Sequence, residues 1–125
     1  MNSNFFIITN NPLVHNELGK SFLIELIEGN HRDVLVLARD YIYEGHGLLT
    51  HPLAGSVKPN ETPYKSIAIT REKQKLDLES VEIISNSIQV CEKFSLNPRE
   101  YKEEGLEDLG QIDYSLILSA IKSSI

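Results

Sequence analysis

The residues best able to do chemistry lie between positions 45 and 65, where two His, two Lys, a Ser, two Thr, a Tyr, an Asn and a Glu share 21 positions. His46 and His51 have the side chain that titrates nearest neutral pH, so either suits general acid–base work or metal ligation. Their five-residue spacing matches no zinc pattern and no third ligand stands out, so neither a metal nor a cofactor is expected. Lys58 and Lys65 suit an anion. Ser56 beside Lys58 has the composition of a nucleophile with an activating amine, although two common residues at that spacing discriminate little. Thr50, Asn60, Thr62 and Tyr64 add hydrogen-bonding groups and an aromatic wall. Pro52, Pro59 and Pro63 restrict the backbone, which favours a defined shape over a tether. Irregular connections longer than about 12–15 residues are uncommon in compact domains and are often functional when ordered.

A second candidate is Thr9-Asn10-Asn11-Pro12, where an apolar run gives way to a helix start. Backbone N–H groups there, with the Asn10 and Asn11 side chains, suit a carboxylate or phosphate. The structural alternative is that Asn11 caps the helix and Asn10 turns the chain. No glycine-rich phosphate loop is present. Cys91 falls on the apolar face of a helical segment, which suits a buried, inert thiol.

The elements that must position these residues read as follows. Residues 5–9 are aromatic and β-branched and form a buried strand. Asn11 and Pro12 open a short helix that ends at Gly19. Residues 22–27 form a second strand. Val34, Leu35, Leu37, Ala38, Tyr41 and Ile42 recur at helical spacing. Asn30 and Asp33 supply a capping box at the start of that helix, and Gly45 or Gly47 stops it. Residues 48–50 form a brief third strand and residues 66–70 a fourth. Residues 78–94 return to helical spacing. A C-terminal helix starts near Asp113, which caps it, and the acidic run 100–108 makes a solvated face or a connection. Alternation of strands and helices predicts a small three-layer α/β sandwich of about four mostly parallel strands, with ligands bound beyond the carboxyl ends of the strands.

With 125 residues the chain fits a single domain spanning 1–125, and its 41% hydrophobic and 24% charged residues are ordinary for a globular protein. The single cysteine allows no internal disulfide. No signal segment or membrane-length apolar run is evident, so a cytoplasmic location is expected. The formal net charge of −6, with basic residues dispersed among acids, argues against nucleic-acid binding.

The segment from Leu48-Leu49-Thr50-His51-Pro52 through Asn60-Glu61-Thr62-Pro63-Tyr64-Lys65-Ser66 resembles the signature of the GrdX family. Ile7-Ile8-Thr9-Asn10-Asn11-Pro12-Leu13-Val14 is similar to that family's start, and Asp33-Val34-Leu35 through Arg39-Asp40-Tyr41-Ile42 to its next block. The resemblance implies a small accessory protein encoded beside glycine, sarcosine or betaine reductase components in amino-acid-fermenting anaerobes. It assigns no catalytic residue. The partners it implies are a reductase subunit or a small anionic metabolite, and the function expected is accessory or small-ligand-binding. The alternative is a small enzyme for a phosphorylated or carboxylate metabolite, using His51 and Lys58.

Overall fold

The computed structural model describes residues 3–53, 59, 61–94, 101 and 103–124. Its centre is β1, Phe5–Thr9, whose five residues are all buried. A strand buried on both faces must sit between other strands and between layers, and β1 does. It pairs in parallel with β2, Ile24–Leu26, and antiparallel with β3, Ser66–Thr70, giving the order β2-β1-β3. Thr9 lies opposite Ser66 and Phe5 opposite Thr70.

Side chains alternate across the sheet, so its two faces have different partners. Phe6, Ile8, Ile67 and Ile69 meet helices α2, His31–Tyr43, and α3, Leu78–Phe94. Phe5, Ile7 and Ala68 meet α1, Pro12–Leu18, and α4, Glu103–Ser124. The four sheet isoleucines of β1 and β3, Ile7, Ile8, Ile67 and Ile69, are wholly buried. Each contributes about 2 kcal/mol relative to exposure, so the two cores are ample for a chain of this length.

Three local expectations hold. Asn11 caps α1 by accepting from the Leu13 N–H at 3.1 Å, with Pro12 in the first turn. Asn30 and Asp33 form the reciprocal capping box of α2. The chain leaves α2 through Gly45 at φ +114°, where a Cβ would lie 2.4 Å from the Gln74 carbonyl oxygen. That close approach requires glycine.

Three expectations are corrected. The sheet has three strands, not four, because residues 48–50 make only one bridge, Leu48 to Ile69. Leu49 and Thr50 both donate to the Ala68 carbonyl, and Thr50 Oγ1 accepts from the Ala68 N–H at 3.0 Å, so this segment flanks β3 without pairing regularly. The sheet is mixed, not mostly parallel. His46 lies beside Phe6 and Thr70, whereas Thr62 to Lys65 lie beside Asn10. The connection therefore crosses the length of the sheet before β3 starts, and β3 must run back against β1. Finally, the last helix begins at Glu103, not near residue 113. Asp113 is not its cap but a buried residue in its interior. Residues 103–108 of the acidic run form its first turns.

Candidate ligand-binding site

At the carboxyl end of β1 the side-chain pattern turns from apolar to polar. Thr9 and Ser66 follow Ile7 and Ala68 on the α1–α4 side, and their hydroxyls meet at 2.7 Å. A directed hydrogen-bond chain follows. The Asn11 N–H donates to Thr9 Oγ1 at 2.9 Å, and Ser66 Oγ donates to Asp113 Oδ2 at 2.7 Å. The Thr9 hydroxyl proton is therefore the one shared with Ser66. Asn11 Nδ2 donates to the same Asp113 oxygen at 3.0 Å and to the Gly110 carbonyl at 2.9 Å. Asp113 is thus tied to β1, β3 and α1 together.

Asn10 joins the remaining segments. Its Nδ2 donates to the carbonyls of Gly29 (3.0 Å) and Pro63 (2.8 Å), and its Oδ1 accepts from the Lys65 N–H at 2.9 Å. The Thr9-Asn10-Asn11 turn and the end of the long connection therefore do meet. The asparagine side chains spend their hydrogen-bonding capacity on the protein, so both position the site instead of presenting free donors.

The groups left to face a ligand are His31, Lys65 and Asp113, with Thr62 and Tyr64 beside them. His31 opens α2 and is only 6% exposed. Its Nδ1 lies 3.5 Å from the Thr62 carbonyl oxygen. A carbonyl only accepts, so Nδ1 carries the proton and Nε2 presents a lone pair. Nε2 is buried and has no hydrogen-bond partner among the described residues. Burial, aided by the nearby Lys65 charge and opposed by Thr62, pushes the imidazole pKa down to about 4. The ring is therefore neutral at pH 7.

Lys65 and Asp113 perturb one another through space. Burial lowers the Lys65 pKa, and the Asp113 charge opposes that shift. Burial also raises the Asp113 pKa, against the hydrogen bonds from Asn11 and Ser66 and the charge of Lys65. No direct ion pair joins these two side chains among the described residues. This cluster of perturbed ionisable groups, drawn from α2, the approach to β3 and α4, makes this end of the sheet the candidate site. The space it encloses is a slot of about 10 Å³, walled by Leu109, Ile112 and Leu116 of α4. Tyr64 also borders an open groove of about 680 Å³ between Leu13 and the acidic first turns of α4.

The other residues singled out in the sequence fall elsewhere. His46 is buried at the opposite end of β1, where its Nδ1 meets the Thr70 carbonyl at 2.7 Å. Thr70 is four residues along β3 from Ser66, roughly 13 Å away. Thr50 is consumed in holding Ala68. His51 is exposed, and its Nδ1 accepts from the Leu53 N–H. Thr62 is buried and its hydroxyl accepts from the Tyr64 N–H. Ser56, Lys58 and Asn60 lie outside the described residues. Cys91 is buried, and burial pushes its thiol pKa up. Of the eleven sequence candidates, Asn10, Asn11, Thr62, Tyr64 and Lys65 come together, while His46, Thr50 and His51 do not join them.

Three residues at the site were not anticipated: His31, Ser66 and Asp113. Asp113 carried the clearest signal. It lies four and eight residues before Ile117 and Ile121, which places all three on one helix face. That continuous stripe marks a buried position within a helix.

Neither the curated proteins nor the solved structures provide a match to this chain. A family model does match, under the description GrdX-like protein, and it spans residues 6–122. All of the clustered side chains lie within that span, and the chain belongs to the GrdX-like protein family.

Proposed function

We propose that this chain is a small-ligand-binding accessory protein of a glycine-reductase-type system, with its ligand held between Lys65, His31 and Asp113. The observation that carries this reading is the convergence of three ionisable side chains from separate elements, one of them with a buried nitrogen that has no partner among the described residues. Burying a polar atom without a partner costs about 1–3 kcal/mol, a cost that a ligand donor would remove. Family membership supports the reductase setting through the family's name, and a reductase component is the protein partner this reading expects. Asn10 and Asn11 hold the frame, and the ligand contacts fall to Lys65 and His31.

The test is a thermal-shift screen of the purified chain against glycine, sarcosine, betaine, acetyl phosphate, inorganic phosphate and common nucleotides. A ligand at about 100 times its Kd adds roughly 2.7 kcal/mol, several degrees in a domain of this size. The expected result is a shift with at least one compound that disappears in Lys65→Met. A shift that survives in Lys65→Met, or no shift with any compound, refutes the site.

A further inference from the structure

The two edges of the sheet differ. The outer edge of β3 is flanked by residues 48–50, through the Leu48–Ile69 bridge and the bonds of Leu49 and Thr50 to Ala68. β2 has β1 on one side and, among the described residues, no strand on the other. Two bonds fix the direction of its backbone groups. Ile7 N–H donates to the Leu23 carbonyl at 3.0 Å, and Ile27 N–H donates to the Thr9 carbonyl at 2.9 Å. Along an extended strand these groups alternate between the two sides. Leu23, Glu25 and Ile27 therefore bond towards β1, and Ile24 and Leu26 turn their N–H and C=O groups to the open side.

An open edge is a template for a further strand, and proteins usually blunt it with lysine, proline or a covering segment. From Phe22 to Ile27 there is no lysine or proline, and five of the six residues are apolar. Leu23 and Leu26 are exposed, at 45% and 43%, whereas every residue of β1 is buried. Being three residues apart, the two leucines lie on opposite faces of the strand. The edge thus offers backbone hydrogen bonds together with apolar side chains above and below them.

Glu25 selects the occupant. A second copy paired across a two-fold axis, in the register that overlaps all of Ile24–Leu26, sets Glu25 directly opposite its own counterpart. Like charges in that position are destabilising. A strand with a cation there meets its opposite. Glu25 has no ion-pair partner among the described residues, and the Tyr41 hydroxyl takes up only its Oε1, so the carboxylate can accept further bonds. Glu44 acts on the same Tyr41, which places a second carboxylate nearby. On the opposite face Ile24 packs with the α1–α4 core, so the neighbours of that cation are apolar.

We propose that the open edge of β2 takes a short extended segment of a partner protein, carrying a Lys or Arg opposite Glu25 and an apolar residue on either side of it. The segment pairs antiparallel, the slightly more stable geometry, and its apolar residues exchange main-chain bonds with Ile24 and Leu26 as a fourth strand. This surface shares no residue with the slot beside His31, so it stands or falls separately from the ligand-binding reading.

The experiment is amide hydrogen exchange of the full chain, followed in ¹H–¹⁵N spectra, alone and with the capped peptide Ser-Val-Ile-Lys-Ile-Val-Ser. Alone, Ile24 and Leu26 should exchange faster than Ile27, whose N–H is bonded to Thr9. Saturating peptide should slow Ile24 and Leu26 roughly tenfold or more. Replacing the peptide's Lys by Glu, or methylating its two Ile nitrogens, should each weaken binding roughly tenfold or more. Glu25→Gln keeps an acceptor for Tyr41 and should erase the preference for the Lys peptide over the Glu peptide. If the methylated peptide binds as tightly as the parent, the contact is apolar without strand pairing and the proposal fails. Protection of Ile24 and Leu26 that rises with protein concentration in the absence of peptide makes a second copy the occupant and overturns it too. A Lys preference that survives Glu25→Gln, or no slowing by any peptide, has the same consequence.

Discussion

Two buried histidines stand at opposite ends of the central strand, equally hidden from solvent at 6% exposure each, and their surroundings differ. His46 Nδ1 meets the Thr70 carbonyl at 2.7 Å, and its ring stacks edge-on against both Phe6 and Tyr41. Tyr41 in turn donates to Glu25, a bond that with burial pushes the phenol pKa up to about 12. An open groove of about 610 Å³ lies at that end, and two of its lining side chains are engaged, Thr70 with Gly47 and Asp77 with Ser80. His31 has a longer contact of 3.5 Å, an unpartnered Nε2 and a lysine charge nearby. Burial alone does not distinguish a site from a core. Hydrogen bonding separates the two rings: His46 Nδ1 is held at 2.7 Å, whereas His31 Nε2 has no partner among the described residues, which is why the proposed site is placed at the His31 end.

This contrast can be broken first at Asp113, where the largest effect is expected. Asp113→Ala leaves the Asn11 amide and Ser66 hydroxyl without their shared acceptor and opens a hole in the α4 face. The loss should be about 3 kcal/mol in urea unfolding. Asp113→Asn keeps an acceptor oxygen and removes a buried charge, so it should cost less than about 1 kcal/mol.

Acid should separate the two ends next. The folded His31 pKa of about 4 lies below the ordinary 6.5, so the unfolded chain takes up a proton that the folded chain refuses. The associated stability is present above pH 6.5 and is lost as pH falls through 4, about 3 kcal/mol in all. Asp113 works in the opposite sense. Its raised pKa means that protonation in acid favours the fold, and this contribution is lost as pH rises through the folded value. Equilibrium unfolding at pH 7 and pH 4 should show the His31 loss in the wild type and its absence in His31→Leu.

Replacing each histidine by leucine at pH 7 should then give unequal costs. His46→Leu abandons a well-formed bond and two aromatic contacts, about 2 kcal/mol. His31→Leu removes a nitrogen that was unpartnered, so its stability should change by less than about 1 kcal/mol in either direction while ligand response disappears. Equal costs would remove the distinction between the two ends. The smallest effect is a control on α4. A Cβ at Gly105 meets nothing within 4 Å. Gly105→Ala should raise stability by roughly 0.5–1 kcal/mol and leave ligand affinity unchanged.

The parts of this architecture legible in the sequence are those set by neighbours along the chain. Asn11-Pro12 announces α1, Asn30 and Asp33 announce α2, and the apolar runs announce β1 and β3, because caps and alternation act over a few residues. The direction of β3 was not legible, since it depends on how far residues 44–65 travel across the sheet. Lys65, Thr62 and Tyr64 stood out as polar residues in a long connection. Ser66 and His31 did not, because each is ordinary until the fold places Asp113 opposite. Asp113 itself has two valid local readings, as a cap and as part of the 113, 117, 121 stripe, and the longer helix decided between them.

The most direct measurement is a long-range ¹H–¹⁵N spectrum of the imidazole rings, recorded against pH and then with each compound of the thermal-shift screen added. His31 should be neutral at pH 7, protonated on Nδ1, with a midpoint near 4, and its Nε2 resonance should move when a compound that raises the melting temperature binds. A ring that titrates near 6.5, or carries its proton on Nε2, or ignores every compound of the thermal-shift screen, would contradict the assignment of this end of β1 as a ligand site.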